Sequence, residues 1–289
     1  MEKCLLTLGI VIDYILTHLP EDSKPLLSRV FNEQYDKAED GMVTVRDKKL
    51  VSAKSVQNPN DPDAHYRSKA GKKVKGFSTY ITETCDEENK PNLITDVEVK
   101  GATTADNTYV ESGVKGTEDV IGNKVDTLYC YGAYQSEDNR KFADKQYIDL
   151  ITGGLQGKPS RFDLEQTDVT TLEVTDKHTG EVINAILVKD DKWKISVINK
   201  KGKKTWRYFG KEQIDKAQTK KEVESVPFEK RKKRNNVEAT ILQYCFHTRN
   251  NKTKYRGLIK HKMQALARCA WINVHRLLLF DLEMALQRV

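Results

Sequence analysis

Residues 125–152 read VDTLYCYGAYQSEDNRKFADKQYIDLIT, and the fold class turns on how they are parsed. Val125 to Tyr131 is a short run rich in β-branched and aromatic residues, which predicts a strand. Ser136 can accept a hydrogen bond from an amide in the first turn of a helix, so it predicts an N-cap and a helix to Gln146. Tyr147 to Thr152 is again short and apolar, a further strand. Strand, helix and strand in succession imply a mixed α/β layer with a parallel part.

Working upstream, Val74 to Thr84 and Asn92 to Val99 are two strand-like runs separated by the polar turn Asp86 to Pro91, which predicts an antiparallel pair. Asp106 to Val120 predicts a helix weakened by Gly113 and Gly116. Ser52 to Lys73 is loop-rich, because Pro59 and Pro62 among Asn58, Asn60, Asp61 and Asp63 cannot hold a helix. The first fifty residues predict helices over Leu5–Leu19 and Lys24–Tyr35, with Pro25 in a first turn, then a polar loop around Asp40 and Gly41.

Downstream the pattern changes to strands alone: Thr170–Thr175, Val182–Val188, Lys192–Ile198 and Thr205–Phe209, with turns at Thr179-Gly180 and Gly202. The end is helical, over Lys211–Val223, Pro227–His247 and Gly257 to about Gln287. In the last helix Ile259, Met263, Leu266, Ala270, Val274 and Leu277 form one apolar stripe, while Lys254, Arg256, Lys260 and Lys262 face water or phosphate. The expected organisation is a helical segment 1–50, an α/β domain of residues 51–152 and 211–289, and an inserted small β subdomain at 153–210.

With 289 residues, 38% apolar and 31% charged, the chain can bury a sizeable core, which excludes a disordered tail. Five scattered cysteines lack the pairing of a zinc site or disulfide framework and favour a reducing, cytoplasmic setting. The apolar run Cys4 to Leu19 is interrupted by Asp13 and falls short of a bilayer span, so it reads as a buried helix. The net charge of +7 is uneven: Lys220 to Arg276 holds 15 Lys and Arg against 4 acids, a balance of +11 that leaves −4 elsewhere. A basic terminal third on a mildly acidic body points to a polyanion, since cations that neutralise phosphates release condensed counterions.

Gly-x-Ser-x-Gly and P-loop patterns are absent, and His247, His261 and His275 lack His-x-x-x-His spacing. Arg234 and Glu238 stand four residues apart, on one face of a helix, beside Lys230, Arg231, Lys232 and Lys233. Glu238 is therefore either an ion-pair partner of Arg234 or a metal ligand beside a DNA-binding surface, and from spacing alone the ion pair is the better reading.

Several segments in order carry a resemblance: Asn58-Pro-Asn-Asp-Pro-Asp-Ala64 with Tyr66-Arg67, Lys75-Gly-Phe77 leading to Glu83-Thr-Cys-Asp86, Asn92-Leu-Ile-Thr-Asp-Val97, Gly132-Ala-Tyr-Gln-Ser136, Arg234-Asn-Asn-Val-Glu-Ala-Thr240, and Tyr255-Arg-Gly-Leu-Ile-Lys260. Spanning about Asn58 to Arg276, they resemble the catalytic domain of bacterial insertion-sequence D-D-E transposases, in the branch with a β-strand insertion before the last acid. The resemblance implies a ribonuclease-H-like α/β fold in which three carboxylates hold two magnesium ions for phosphodiester cleavage and strand transfer on DNA. It gives Glu238 the role of the third acid and metal ligand, Arg234 a positioning or phosphate contact, and Lys230, Arg231, Lys232, Lys233, Lys252, Lys254, Arg256, Lys260 and Lys262 the grip on DNA.

The second acid is expected directly before the Gly-Ala-Tyr motif, where this chain has Tyr131, a phenol that ligates metal poorly at neutral pH. Asp126 lies five residues earlier, roughly 16 Å along a strand, and cannot replace it. The first acid has no match before Asn58, so the chain reads as the C-terminal portion of a transposase with an incomplete triad. The expectation is a transposase-derived DNA-binding protein inactive in cleavage. The alternatives are a catalytically dead regulator that pairs with an intact transposase or with itself, and a non-functional remnant. Should the site lie elsewhere, Asp61, Asp63, Asp86 and Asp96 are the acids to consider.

Overall fold

A computed structural model describes residues 2–20, 24–69, 71–86, 88–154, 160–168, 170–189, 191–198, 202–246, 248 and 252–287. The chain divides into two compact units. One is discontinuous, built from residues up to Lys124 and again from Asn236 onward; the other is the continuous run Val125–Asn235.

The discontinuous unit opens with helices α1 (Glu2–His18) and α2 (Pro25–Gln34), followed by a hairpin of β1 (Tyr35–Lys37) and β2 (Val43–Val45). Residues 35–45, expected as the end of a helix and a polar loop, pair instead, with Gly41 at φ 84° in the turn. Ile12, Phe31, Tyr35 and Val43 form a small core. A Cβ on Gly9 would sit 2.5 Å from the Tyr35 ring, so only glycine lets α1 approach the hairpin. The rest of α1 departs from the buried helix expected: Leu8, Ile10, Val11 and Tyr14 are exposed.

Next come β3 (His65–Lys69), β4 (Lys72–Glu83) and β5 (Ile94–Gly101), an antiparallel sheet in the order β3-β4-β5. The β4–β5 pair is the one the sequence predicts; β3 lies within the stretch expected as loop. Asp106–Tyr109 forms a 3-10 turn leading into α3 (Val110–Ile121). The two glycines that weaken α3 by propensity have a packing role: a Cβ on Gly113 would fall 2.8 Å from Thr82, and one on Gly116 2.7 Å from Asp96.

In the continuous unit, β6 (Thr127–Cys130), α4 (Glu137–Gln146) and β7 (Asp149–Thr152) form a βαβ unit, with β6 and β7 parallel from Thr127↔Asp149 to Cys130↔Thr152. The Ser136 hydroxyl accepts from the Asn139 amide at 3.2 Å, as an N-cap should. Five antiparallel strands follow: β8 (Phe162–Gln166), β9 (Leu172–Asp176), β10 (Val182–Lys189), β11 (Lys192–Ile198) and β12 (Lys204–Gly210), in the order β12-β11-β10-β9-β8. One face is covered by α5 (Lys211–Ser225) over a core of Leu172, Val174, Trp193, Ile195 and Ile214. The predicted helix from Pro227 to His247 is broken into α6 (Phe228–Lys232), a 3-10 turn Lys233–Asn235, and α7 (Asn236–Cys245); His247 lies outside the described residues. Lys230, Lys233 and Arg234, at helical neighbour spacing, repel one another, which disfavours a regular helix there.

The chain re-enters the discontinuous unit with α7 and ends in α8 (Leu258–Leu286). Here the sequence reading of the buried face is corrected. Ile259, Met263, Leu266, Ala270, Val274 and Leu277 are exposed, and Ala265, Cys269 and Ile272 are buried. Polar anchors set this rotation: Asn273 accepts from the Ile94 amide and donates to its carbonyl, both at 2.8 Å, and Arg276 reaches Glu83 and the Asn92 carbonyl. Small Ala265 and Cys269 let the helix lie close to the sheet, where Ile81, Val97 and Ile94 fill the gap. Ile81 and Val97 are register partners facing α8, while the next pair, Thr82 and Asp96, faces α3, so helices cover both sides of the sheet. No described helix is long and apolar enough to cross a membrane.

Candidate nucleic-acid interface

The parallel strands of the continuous unit end at Cys130 and Thr152, both buried. The ladder continues one step further, because the Gly153 amide donates to the Cys130 carbonyl at 2.8 Å. Beyond Cys130 the chain places Tyr131 at the strand mouth and turns back through the 3-10 turn Gly132–Tyr134, closed by the Tyr134 amide on the Tyr131 carbonyl at 2.9 Å. The carboxyl ends of parallel strands are where α/β proteins place their ligands, since side chains there meet loops rather than sheet.

Close backbone approach shapes this mouth. A Cβ on Gly132 would stand 2.7 Å from the Gly154 carbonyl oxygen, and a Cβ on Gly153 would stand 2.8 Å from Arg234 Nε. A side chain on Gly132 would meet fixed backbone, whereas one on Gly153 would displace the Arg234 side chain. Over the mouth lies the 3-10 turn that follows α6. Its Arg234 guanidinium sits 4.5 Å from the centre of the Tyr131 ring, and Lys233 Nζ sits 5.8 Å from the Tyr129 ring. Tyr131 and Tyr134 stack at 6.5 Å. Tyr129 in β6 and Tyr131 just beyond its end thus each carry a cation on a ring face, which favours a positive charge at the strand end.

This arrangement does not fit a pair of magnesium ions. Where a carboxylate is expected there is a phenol under a guanidinium, and the neighbouring Cys130 thiol is pushed up to about 12 by burial, so it is no thiolate ligand. Among the described residues no group of three or more His, Cys, Asp or Glu side chains could hold a metal ion. Glu238 is exposed in the first turn of α7, where a carboxylate complements the helix dipole. It belongs to the discontinuous unit and Arg234 to the continuous one, so the two do not share the single helix that their spacing predicts.

The other acids considered are accounted for locally. Asp61 accepts from the Gly257 amide at 3.0 Å and so tethers the start of α8; Asp86 accepts from the Glu88 amide in a turn; Asp63 is exposed. Asp96, packed against Gly116, has its carboxyl raised above the usual range by desolvation and by Glu98.

The structure sorts the expected DNA contacts into two sets. Lys230 and Lys232 are exposed and Arg231, Lys233 and Arg234 half-buried in the continuous unit; Lys252, Lys254, Arg256, Lys260 and Lys262 are exposed around the start of α8 in the discontinuous unit. The sequence reading missed Tyr129 and the close backbone approach made at Gly132 and Gly153. The signal for them was present in the Tyr-x-Tyr alternation at a strand end and in the Gly153-Gly154 pair.

By fold and site the chain is a mixed α/β protein with an aromatic, cationic mouth at the end of its parallel strands. Residues 196–278 match the family described as transposase DDE domain. The match runs from β11 into α8, under a third of the chain, and holds both the Arg234–Glu238 and the Tyr255–Lys260 segments. No curated protein and no solved structure matches the chain. The match supports a transposase-derived function, with DNA as the general partner.

Proposed function

We propose that this chain is a DNA-binding protein derived from an insertion-sequence transposase. In this reading its ribonuclease-H-like ancestor cut and joined phosphodiesters with magnesium, and the present chain binds DNA in the cytoplasm, at the nucleoid, without cutting it. The observation that carries the reading is Tyr131, lodged under Arg234 at the strand mouth where the ancestral chemistry needs a carboxylate. A guanidinium there repels a divalent cation and attracts a phosphate, which converts a metal site into an anion site.

The test pairs binding with cleavage. If five of the cations between Lys220 and Arg276 meet phosphates, the log of the duplex affinity falls against log salt with a slope of about −4 to −5, near −0.9 per contact. Lys254→Ala with Arg256→Ala should flatten that slope by about two contacts' worth, and Arg234→Ala by about one, with little change in sequence preference. Magnesium or manganese should produce no nicking. Metal-dependent cleavage that survives purification controls, or a slope near zero, sinks the proposal.

A second reading, a regulator that pairs with an intact transposase or with its own copy, is favoured by the exposed apolar stripe of α8 from Ile259 to Leu277. It predicts dimers or mixed oligomers in sedimentation, lost on Met263→Asp.

A further inference from the structure

The face of the five-stranded sheet away from α5 is divided by charge. There strands β8 and β9 carry Asp163, Glu165 and Glu173, and two of these, Asp163 and Glu165, are neutralised within the unit by Lys221. On the same face strands β10, β11 and β12 carry Lys189, Lys192, Lys194 and Lys204 and no acid. Among the described residues none of these four makes an ion pair with an acid. The basic half of the sheet thus lacks the internal compensation that the acidic half has.

On that half stand two exposed aromatic rings. Trp206 is 48% and Tyr208 52% exposed, on the same face of β12 because they are two residues apart. The register sets Ser196 opposite Trp206 and Lys194 opposite Tyr208. Lys194 Nζ lies 4.8 Å and Lys204 Nζ 6.0 Å from the Trp206 ring, and Lys192 Nζ lies 5.7 Å from that of Tyr208. Trp193, by contrast, points into the core at 1% exposure, so the folding of the sheet does not need Trp206 for its interior.

We propose that this face of the β subdomain is a stacking platform for single-stranded DNA. Each ring offers an apolar plane to one base, and the lysines at its margins meet the flanking phosphates. The rings lie roughly 7 Å apart along the strand, about twice the 3.4 Å rise between stacked bases. Successive bases of a relaxed strand can therefore each take a ring, whereas the mutually stacked bases of a duplex cannot. An exposed lysine over a ring is held more weakly than a stacked base, so a base displaces Lys194 from Trp206 and the freed ammonium turns to the phosphate. The proposal deepens the DNA-binding reading above and rests on it: the basic α6 and α8 regions supply general grip, and this face supplies preference for unpaired strand.

The test is the affinity of the full chain for fluorescein-labelled oligo(dT) and for a duplex of equal length, by anisotropy at fixed salt. Trp206→Ala and Tyr208→Ala are each expected to weaken oligo(dT) binding about tenfold and duplex binding less than twofold. Trp206→Phe should keep most of the affinity, and Lys194→Gln should lower the salt slope by one contact without unfolding the sheet. Unchanged oligo(dT) affinity in Trp206→Ala and Tyr208→Ala, or equal losses on both DNAs with a wild-type circular-dichroism spectrum, overturns the platform. If wild type binds duplex with a steep salt slope and only the ring variants are silent, the platform alone fails. If wild type binds neither DNA at low salt, the DNA-binding reading fails with it.

Discussion

Asp176 at the end of β9 accepts two hydrogen bonds from Arg161 Nε and Nη2 and a third from the His178 amide, and these hold its carboxyl below the usual range, the Arg161 contact first. A carboxyl with a depressed folded pKa contributes stability above its unfolded value, about 3.9, and loses it as pH falls through the folded value. Asp176→Asn should therefore lower the melting temperature of the continuous unit at pH 7 and flatten its fall below about pH 4. Melts followed from pH 3 to pH 7 decide this, and parallel curves for the two proteins would deny Asp176 its role. Tyr131 illustrates the opposite kind of residue. Its identity was legible in the sequence as a departure from an acid, but its consequence was not, because the cation that lies over it comes from Arg234, more than a hundred positions along the chain.

Between elements, one polar junction holds α7 and α8 to β4. The Thr240 hydroxyl donates to the Glu83 carboxylate and accepts from Arg276, which also donates to Glu83, and all three side chains are largely buried. Removing one member leaves a buried charge uncompensated, which costs about 3 to 5 kcal/mol. Glu83→Ala should lose that much in urea denaturation, and Glu83→Gln, which keeps an acceptor, distinctly less; a loss under about 1 kcal/mol for Glu83→Ala would mean that water replaces it. The same junction explains where sequence reading stopped. Periodicity located α8 and its ends, because 29 helical residues leave a long signal. It chose the wrong face, because the large residues Ile259, Met263 and Leu266 outweigh the small ones that make the contact, and Asn273 and Arg276 act through partners on another element. The strand β3 was hidden by the prolines before it, and the break at Lys233 by the assumption that a polar run continues a helix.

At the scale of the molecule, the βαβ unit and four of the five strands that follow it were readable from alternation, capping and turn residues, all of which act within a few positions, whereas β8 was not. The discontinuous unit closes through pairs such as Ile94 with Asn273 and Asp61 with Gly257, which no local pattern links. That closure sets an order of events during synthesis. The sheet β3-β4-β5 is complete at Gly101, but the helix that covers Ile81 and Val97 begins only at Leu258, about 160 residues later. At 5–20 residues per second the ribosome needs roughly 8–30 s to supply it. The continuous unit, finished at Asn235, can fold in that interval, while the earlier sheet waits with one apolar face bare. Proteolysis of ribosome-arrested chains should find residues 160–210 protected before residues 72–101. Simultaneous protection would mean that the sheet finds another cover first. A nascent chain with a finished domain behind an unfinished one is a substrate for holding chaperones, and the long α8 acts as the late clasp that ends this dependence.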